Sequence, residues 1–239
     1  MDKVKSVFLL VAALAFAASP LLTSGFNGFT GDQFPIPQNN PPVQPAGYAF
    51  SIWGLIYIWM IAGAVFGLLK RDRTPDWTPM RAPLILSLAI GAAWIPVANI
   101  SPVWATVLIW LMWGSAALAL LRTGGQDRLW QRTPVALYAG WLTAASCVAL
   151  GLLLAGYGFV PAQVAAIAMI ILALALTMAV QVRRRDTPEF SFAVIWALVG
   201  VIVANVATQN WAVVGLAAAG AMLLAYRAAL PHLRDATAA

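Results

Sequence analysis

Residues 48–73 read YAFSIWGLIYIWMIAGAVFGLLKRDR, an unbroken apolar run that ends in the bases Lys70, Arg71 and Arg73. The part from Tyr48 to Leu69 carries no ionised side chain. It has the length of roughly 20 residues that an α-helix needs to cross a hydrocarbon core about 30 Å thick. Because Lys and Arg are retained on the cytoplasmic side of a membrane, this stretch predicts a spanning helix whose C-terminal end faces the cytoplasm.

The same pattern repeats along the whole chain. The apolar runs of spanning length cover residues 4–22, 48–69, 82–100, 103–121, 134–156, 161–182, 190–207 and 211–230. All 14 Lys and Arg residues lie in alternate gaps between these runs or at the adjoining run ends. We therefore predict an all-α, polytopic transmembrane bundle of about eight spans, with both termini cytoplasmic, in a bacterial inner membrane.

Composition agrees with this class and excludes others. The chain is 62% hydrophobic and only 9% charged, against roughly 25% charged residues in a soluble domain. The net charge of +6 comes from bases at the ends of spans rather than from a basic stripe on a folded surface, so nucleic acid is not an expected partner. The only lysines are Lys3, Lys5 and Lys70, which leaves no intramembrane lysine for a retinal Schiff base.

Catalytic and metal-binding groups are not expected inside the membrane. Every Asp and Glu lies in or beside a gap, His232 follows the last run, and the single cysteine is Cys147 within an apolar run. Proton and ion relays through bilayers normally use buried acids or histidines. We predict a protein that is not an enzyme, with no metal site and no covalently bound cofactor.

The first apolar run has two interpretations. Met1–Lys5 followed by an apolar stretch and Ala-Phe-Ala-Ala-Ser at residues 15–19 is typical of a cleavable signal peptide. The run continues to Leu22, which is longer than a usual signal core, and this favours a retained helix.

The gap between the first two runs, Phe26 to Ala46, is long and rich in proline and glycine. This composition stops helices and strands, and loops of about 20 residues in compact proteins are commonly lids, binding elements or disordered segments. Both a functional lid on the outer face and an inert connector are compatible with the sequence.

Eleven tryptophans are distributed over the runs and their ends. Those at run ends are explained by anchoring at the level of lipid headgroups. Trp53, Trp94 and Trp141 lie deeper, where large flat indole faces suit either helix packing or a planar aromatic ligand. Two amides are also notable: Asn99 lies near the outer end of the third run, and Asn205 in the seventh run is expected to hydrogen-bond between helices or to serve a ligand.

Three motifs carry a resemblance to a known family. The second span opens with PAGYAFSIWGLIY at residues 45–57, the third contains Trp94-Ile95-Pro96, and the fifth contains Pro134 followed by Tyr138, Trp141 and Ala144. In order and helix assignment these elements resemble the tryptophan-rich sensory protein/translocator protein family. The resemblance covers residues 1–157, so residues 158–239 are expected to form a three-helix extension. An Asn common in the family three residues before the third-helix Trp is replaced by Gly91.

The resemblance implies a five-helix module that binds porphyrins or related hydrophobic ligands. Carried over by position, the expected ligand-binding residues are Phe50, Trp53, Tyr57, Trp94, Tyr138 and Trp141, to which we add Asn99. Trp53 and Trp141 are expected to form two walls of one site, with ring depths that differ by about 10 Å at 1.5 Å per helical residue.

The leading functional hypothesis is therefore binding of a hydrophobic, planar, tetrapyrrole-like ligand for sensing or translocation. One alternative is a permease for a small uncharged metabolite, with the extra helices completing a transport path. Another is an assembly factor or structural subunit of a membrane complex. The expected partners are the ligand, the lipid bilayer, and either a second copy of the chain or another membrane protein.

Overall fold

The computed structural model describes residues 2–23, 26 and 28–237, with side-chain surroundings given as far as residue 229. The side chain of His232 falls outside that description. The described helices are α1 Asp2–Ala18, α2 Ile52–Lys70, α3 Thr78–Ala98, α4 Pro102–Leu121, α5 Arg132–Gly156, α6 Ala162–Arg183, α7 Pro188–Ala207 and α8 Trp211–Thr237. All 8 candidate spans are long and apolar enough to cross a membrane. The predicted all-α polytopic bundle is thus confirmed.

Local signals explain where several helices begin. The side chain of Ser101 accepts a hydrogen bond from the Trp104 amide at the start of α4, and Pro102 occupies the first turn, where its missing N–H costs nothing. A 3₁₀ helix, Gly47–Ser51, leads directly into α2. It sets the direction in which the residues before Trp53 enter the bundle.

The first five helices form a closed ring. Helix α1 packs against α2 and α3, α3 against α4, α4 against α5, and α5 returns to α2. Helices α6 and α7 pack against α5 from the other side, and α8 packs against both of them. Helix α5 is therefore a shared wall, and its most apolar window is 72% buried, more than that of any other described span.

The contact between α5 and α7 is close. A Cβ atom at Gly140 would lie 2.3 Å from the carbonyl oxygen of Phe190, so only glycine allows this approach of the two backbones. The predicted division between residues 1–157 and 158–239 thus runs beside a tightly packed interface, and it stays a prediction.

The basic loops are tied together rather than left open. Arg81, which we expected in a loop, lies in the first turns of α3 and is buried, and it donates a hydrogen bond to the carbonyl of Asp72 at 2.8 Å. Arg71 forms an ion pair with Asp127 at 2.6 Å, and the indole of Trp77 donates to the same carboxylate at 3.1 Å. These contacts join the loop after α2 to the loop after α4.

Candidate ligand-binding site

An aromatic cluster forms where the start of α2 meets α5. The ring of Trp53 stacks on Tyr57 with centroids 5.5 Å apart, and it meets Trp141 edge-on at 6.0 Å. Phe50, positioned by the 3₁₀ helix before α2, also meets Trp141 edge-on at 5.9 Å. The structure thus brings together four of the residues that the sequence singled out.

The expected separation of Trp53 and Trp141 was wrong. Their ring centroids lie 6.0 Å apart, so their depths cannot differ by the roughly 10 Å that counting helical residues gave. The long side chains and the entry of α2 through a 3₁₀ helix bring the two rings to one level. They contact each other directly.

Trp94 extends this cluster from α3. Its indole N–H donates to the carbonyl of Ala105 in α4 at 2.8 Å, which fixes the ring. Phe26, from the loop before α2, lies edge-on against Trp94 with centroids 4.7 Å apart. The loop therefore contributes directly to the aromatic surface.

Two adjoining cavities lie in and beside the five-helix ring. The first, here called the aromatic cavity, has a volume of about 530 Å³ including its mouth. Its aromatic lining consists of Phe26, Phe29, Phe50, Trp53, Trp94 and Trp141. The rest of the wall consists of Gly28, Gln44 and Pro45 of the loop, Ile109 of α4, small and aliphatic side chains of α5, and Ala197 of α7. The second cavity, of about 740 Å³, lies towards α1 and shares Phe26, Phe50, Trp53, Trp94 and Ile109 with the first.

Trp141 differs from five other tryptophans in the state of its indole N–H. The indole N–H groups of Trp59, Trp77, Trp94, Trp113 and Trp196 all donate hydrogen bonds. The N–H of Trp141 is buried and finds no acceptor among the described residues. Leaving a buried donor unpaired costs about 1–3 kcal/mol. An acceptor atom on a ligand in the aromatic cavity would remove that cost.

Three expected site residues occupy other positions. Tyr57 lines only the second cavity. Tyr138 is fully buried beside Trp53, and its hydroxyl pairs with Ser87 Oγ at 2.9 Å, so it supports the cluster from behind. Asn99 lies exposed at the C-terminal cap of α3 and is not among the described residues that line either cavity.

Sequence reasoning missed Phe16 of α1. Its ring lies 5.0 Å from Tyr57 and 5.6 Å from Trp53, measured between centroids, and it lines the second cavity. It also fills the space over Gly91, where a Cβ atom would lie 2.6 Å from the ring. The signal was present, because Leu9, Ala13 and Phe16 recur at helical spacing on the buried face of α1.

The long loop is fastened across the opening of the aromatic cavity. Gln33 Nε2 donates to the carbonyl of Ala98 at 2.9 Å, and the Ile36 amide donates to the carbonyl of Gly156 at 2.9 Å. Gly28 has a φ of 113°, and a Cβ atom there would lie 2.8 Å from Gln44 Nε2. Only glycine permits this fold-back of the loop upon itself. The loop has the placement of a lid, and its movement stays a prediction.

A family model described as TSPO-like protein matches residues 6–230. The chain belongs to the TSPO-like protein family. No curated protein and no solved structure matches it. The match confirms the resemblance carried by the Trp-rich motifs, and it extends through α6, α7 and most of α8.

Family membership places this TSPO-like protein among multi-pass membrane proteins that bind or sense ligands, in a family that is generally non-enzymatic. Among the residues that the structure describes, no group of three or more His, Cys, Asp or Glu side chains could hold a metal ion. The chemistry offered by the aromatic cavity is apolar contact, ring stacking and hydrogen bonding, for which Trp141 has an unpaired, buried N–H.

Proposed function

We propose that this TSPO-like protein binds a hydrophobic, planar ligand in the aromatic cavity and acts as a sensor or carrier of it. The observation that supports this best is the unpaired, buried N–H of Trp141, a residue that lines a cavity walled by aromatic rings. A donor without a partner in an apolar enclosure is the arrangement by which ligand sites fix orientation. The ligand would present one acceptor atom to Trp141.

The lining of the aromatic cavity suits a ring system, because aromatic side chains from the loop, α2, α3 and α5 surround it. A tetrapyrrole-like ligand is larger than one small ring, and the neighbouring cavity behind Trp53 and Trp94 offers room for its edge. Because Trp53 and Trp141 contact each other directly, their separation gives no support for an extended ligand. The support for an extended ligand comes from the second cavity.

The test is quenching of tryptophan fluorescence by protoporphyrin IX in detergent. We expect Trp141→Phe to weaken binding about 2- to 10-fold, because it removes one hydrogen bond and keeps most of the apolar volume. Trp53→Phe should weaken binding by a similar factor through the loss of stacking area. Trp104→Phe, an exposed position outside both cavities, is the matched control and should bind as wild type does.

If Trp53→Phe and Trp141→Phe both bind the porphyrin like wild type, the site lies elsewhere in the chain. A complementary measurement is extraction in mild detergent, followed by absorption spectra and mass spectrometry of the co-purified compound. A planar, conjugated compound that is lost from Trp141→Phe would support the proposal.

The permease alternative draws on one observation, an open cleft that adjoins the aromatic cavity at its outer side. Against it stands the other end of the ring, where Trp77 and Arg81 are fully buried and hydrogen-bonded. A path through the bundle would have to break these contacts. The described conformation therefore favours binding from one side.

A further inference from the structure

Besides the two cavities described above, a further depression lies between residues 40–47 and the C-terminal end of α7, on the side opposite the basic loops. Its volume is about 940 Å³ including its open mouth, and we call it the outer cleft. The outer cleft and the aromatic cavity share Gln44 and Pro45 as lining residues. Gln44 and Pro45 therefore separate the outer cleft from the aromatic cavity.

Asn205 of α7 lines this cleft and carries an unpaired acceptor. The residue is only 2% exposed. Its Nδ2 donates to the carbonyls of Pro42 and Val201, both at 2.9 Å. Its Oδ1 is buried without a partner in the described part of the chain. Exchanging the amide nitrogen and oxygen would set an oxygen against two carbonyls, so the side-chain orientation is fixed by its bonds.

This arrangement differs from the interhelical bond expected for Asn205. Its partner outside α7 is the loop carbonyl of Pro42, since the loop lies against the helix at this point. The Ala46 amide adds a second tie, donating to the carbonyl of Gly200 at 3.0 Å. Both contacts hold the loop, and they leave Oδ1 of Asn205 available for a donor.

A second buried acceptor lies where the outer cleft adjoins the aromatic cavity. The Oε1 atom of Gln44 is buried and unpaired within the described structure. The other polar side chains of the lining are Asn40 and Thr208, and the described lining contains no Lys, Arg, Asp or Glu. A carboxylate in this cleft would find no counter-charge, whereas a hydroxyl group is uncharged and would supply the donor that Asn205 Oδ1 lacks.

We propose that the outer cleft binds the uncharged, hydroxyl-bearing head of a ligand whose apolar ring occupies the aromatic cavity. Asn205 and Gln44 accept hydrogen bonds from the head, and Trp141 donates to an acceptor at the inner end. This inference rests on the proposed function, because it requires a ring in the aromatic cavity. It narrows the ligand to planar compounds without a carboxylate at the outer end.

Three pyrene probes that differ only at the chain end test the head-group site. They are butylpyrene with no polar end, pyrenebutanol with a hydroxyl, and pyrenebutyrate with a carboxylate. Quenching of tryptophan fluorescence reports binding. The partition of each probe into protein-free micelles is measured separately and used to correct its affinity, so that different probes as well as different variants can be compared. We expect wild type to bind pyrenebutanol about 3- to 10-fold tighter than butylpyrene. Pyrenebutyrate should bind more weakly than pyrenebutanol.

Two substitutions remove the acceptors. Asn205→Leu should abolish the preference for pyrenebutanol, measured as the ratio of its affinity to that of butylpyrene in the same variant. The ratio is used because Asn205 also holds the loop through the carbonyl of Pro42, and loosening of the loop would affect both probes. Gln44→Met removes the second acceptor with little change in volume and should lower the same preference. If Asn205→Leu fails to fold, this variant alone tests whether the acceptors bind the hydroxyl group. Gln163→Met is the matched control: this amide is bonded to Asn210 at 3.0 Å, outside the cleft.

The outcomes separate the two proposals. If wild type binds butylpyrene but shows no preference for pyrenebutanol, the head-group site is wrong and ligand binding in the aromatic cavity stands. The same holds if the preference survives both Asn205→Leu and Gln44→Met. If wild type binds neither butylpyrene nor protoporphyrin IX, the proposed function fails and the inference fails with it.

Discussion

The contact between Gly91 in α3 and Phe16 in α1 sets how closely the first helix approaches the aromatic cluster. The Phe16 ring is held on three sides by Trp53, Tyr57 and Tyr138, with centroids 5.0 to 5.6 Å away. It cannot swing aside without disturbing them. The edge of the Phe16 ring therefore fills the space that a side chain at position 91 would occupy.

We expect Gly91→Ala to lower stability by about 1–3 kcal/mol, the usual cost of overpacking a core. The added Cβ would lie 2.6 Å from the Phe16 ring. Gly114→Ala in α4, where no described atom lies within 4 Å, should be neutral or slightly stabilising because alanine favours helix. The measurement is the thermal unfolding midpoint in detergent. Equal midpoints for the two variants would contradict the packing described.

Single residues show what the sequence could and could not predict about the site. Trp53, Trp94 and Trp141 could be predicted because they belong to motifs that match those of the family in order and in helix assignment. Phe26 and Phe29 were missed, since loop residues follow no period, and only the fold-back at Gly28 brings them over Trp94. The unpaired state of the Trp141 N–H is a matter of three-dimensional surroundings that no linear pattern records.

At the scale of elements, the loop from Phe26 to Ala46 behaves as a structural unit with defined attachments. Buried Phe34 and Val43 hold it to the bundle, and polar ties reach α3, α5 and α7. Closing such a lid costs little conformational entropy of the loop, because its five prolines already restrict the backbone. The connector interpretation predicts the same contacts but no response to ligand.

Bound ligand should slow chymotrypsin cleavage after Phe29 in this loop. Phe29 lines the aromatic cavity, and opening the loop for the protease would expose the ligand to water. Cleavage after Phe159, which is 71% exposed in the loop between α5 and α6, provides an internal control that ligand should not affect. Equal protection at both sites, or none at either, would leave the loop as a connector.

The short loops on the basic side depend on ion pairs whose strength varies with pH. The Arg71 guanidinium hydrogen-bonded to Asp127, with a further bond from Trp77, holds the pKa of that carboxyl below its ordinary value. A lowered pKa in the folded state means that the stabilisation is complete above the ordinary aspartate pKa. It is lost as the pH falls through the lower folded value.

Asp127→Asn should therefore lower the thermal midpoint at about pH 7, and the difference from wild type should shrink towards about pH 3. The effect is expected to be small, since the side chains of Arg71 and Asp127 are 36% and 15% exposed. Asp32→Asn in the exposed outer loop is the control. A difference that stays constant with pH would show that the ion pair contributes nothing to stability.

At the scale of the whole molecule, the alternation of basic and base-free loops predicts that both termini are cytoplasmic. A reporter that is active only outside the cytoplasm should be silent when fused after residue 125 or 186. The same reporter inserted within residues 28–44 should be active if the first span is retained. Reporter activity at residue 125 would show that the orientation is the opposite of the predicted one.

The number and class of the spans could be predicted because membrane thickness fixes helix length. Their exact ends could not. Pro20 turns the end of the first run into a 3₁₀ helix after Ala18. Thr78 and Pro79 start α3 ahead of its apolar run and carry Arg81 into the protein interior. A proline at the end of one helix and the burial of a hydrogen-bonded arginine at the start of another set these boundaries, and hydropathy records neither.

The shared wall formed by α5 has a consequence for biogenesis. Helices α1 to α4 can enter the membrane one after another, yet the ring stays open between α2 and α4 until Arg132–Gly156 is inserted. Until then Phe50 and Trp53 lack their contacts with Trp141, and the α5 side of the aromatic cavity has no wall. A nascent chain therefore completes this chamber only when its fifth helix leaves the translocon.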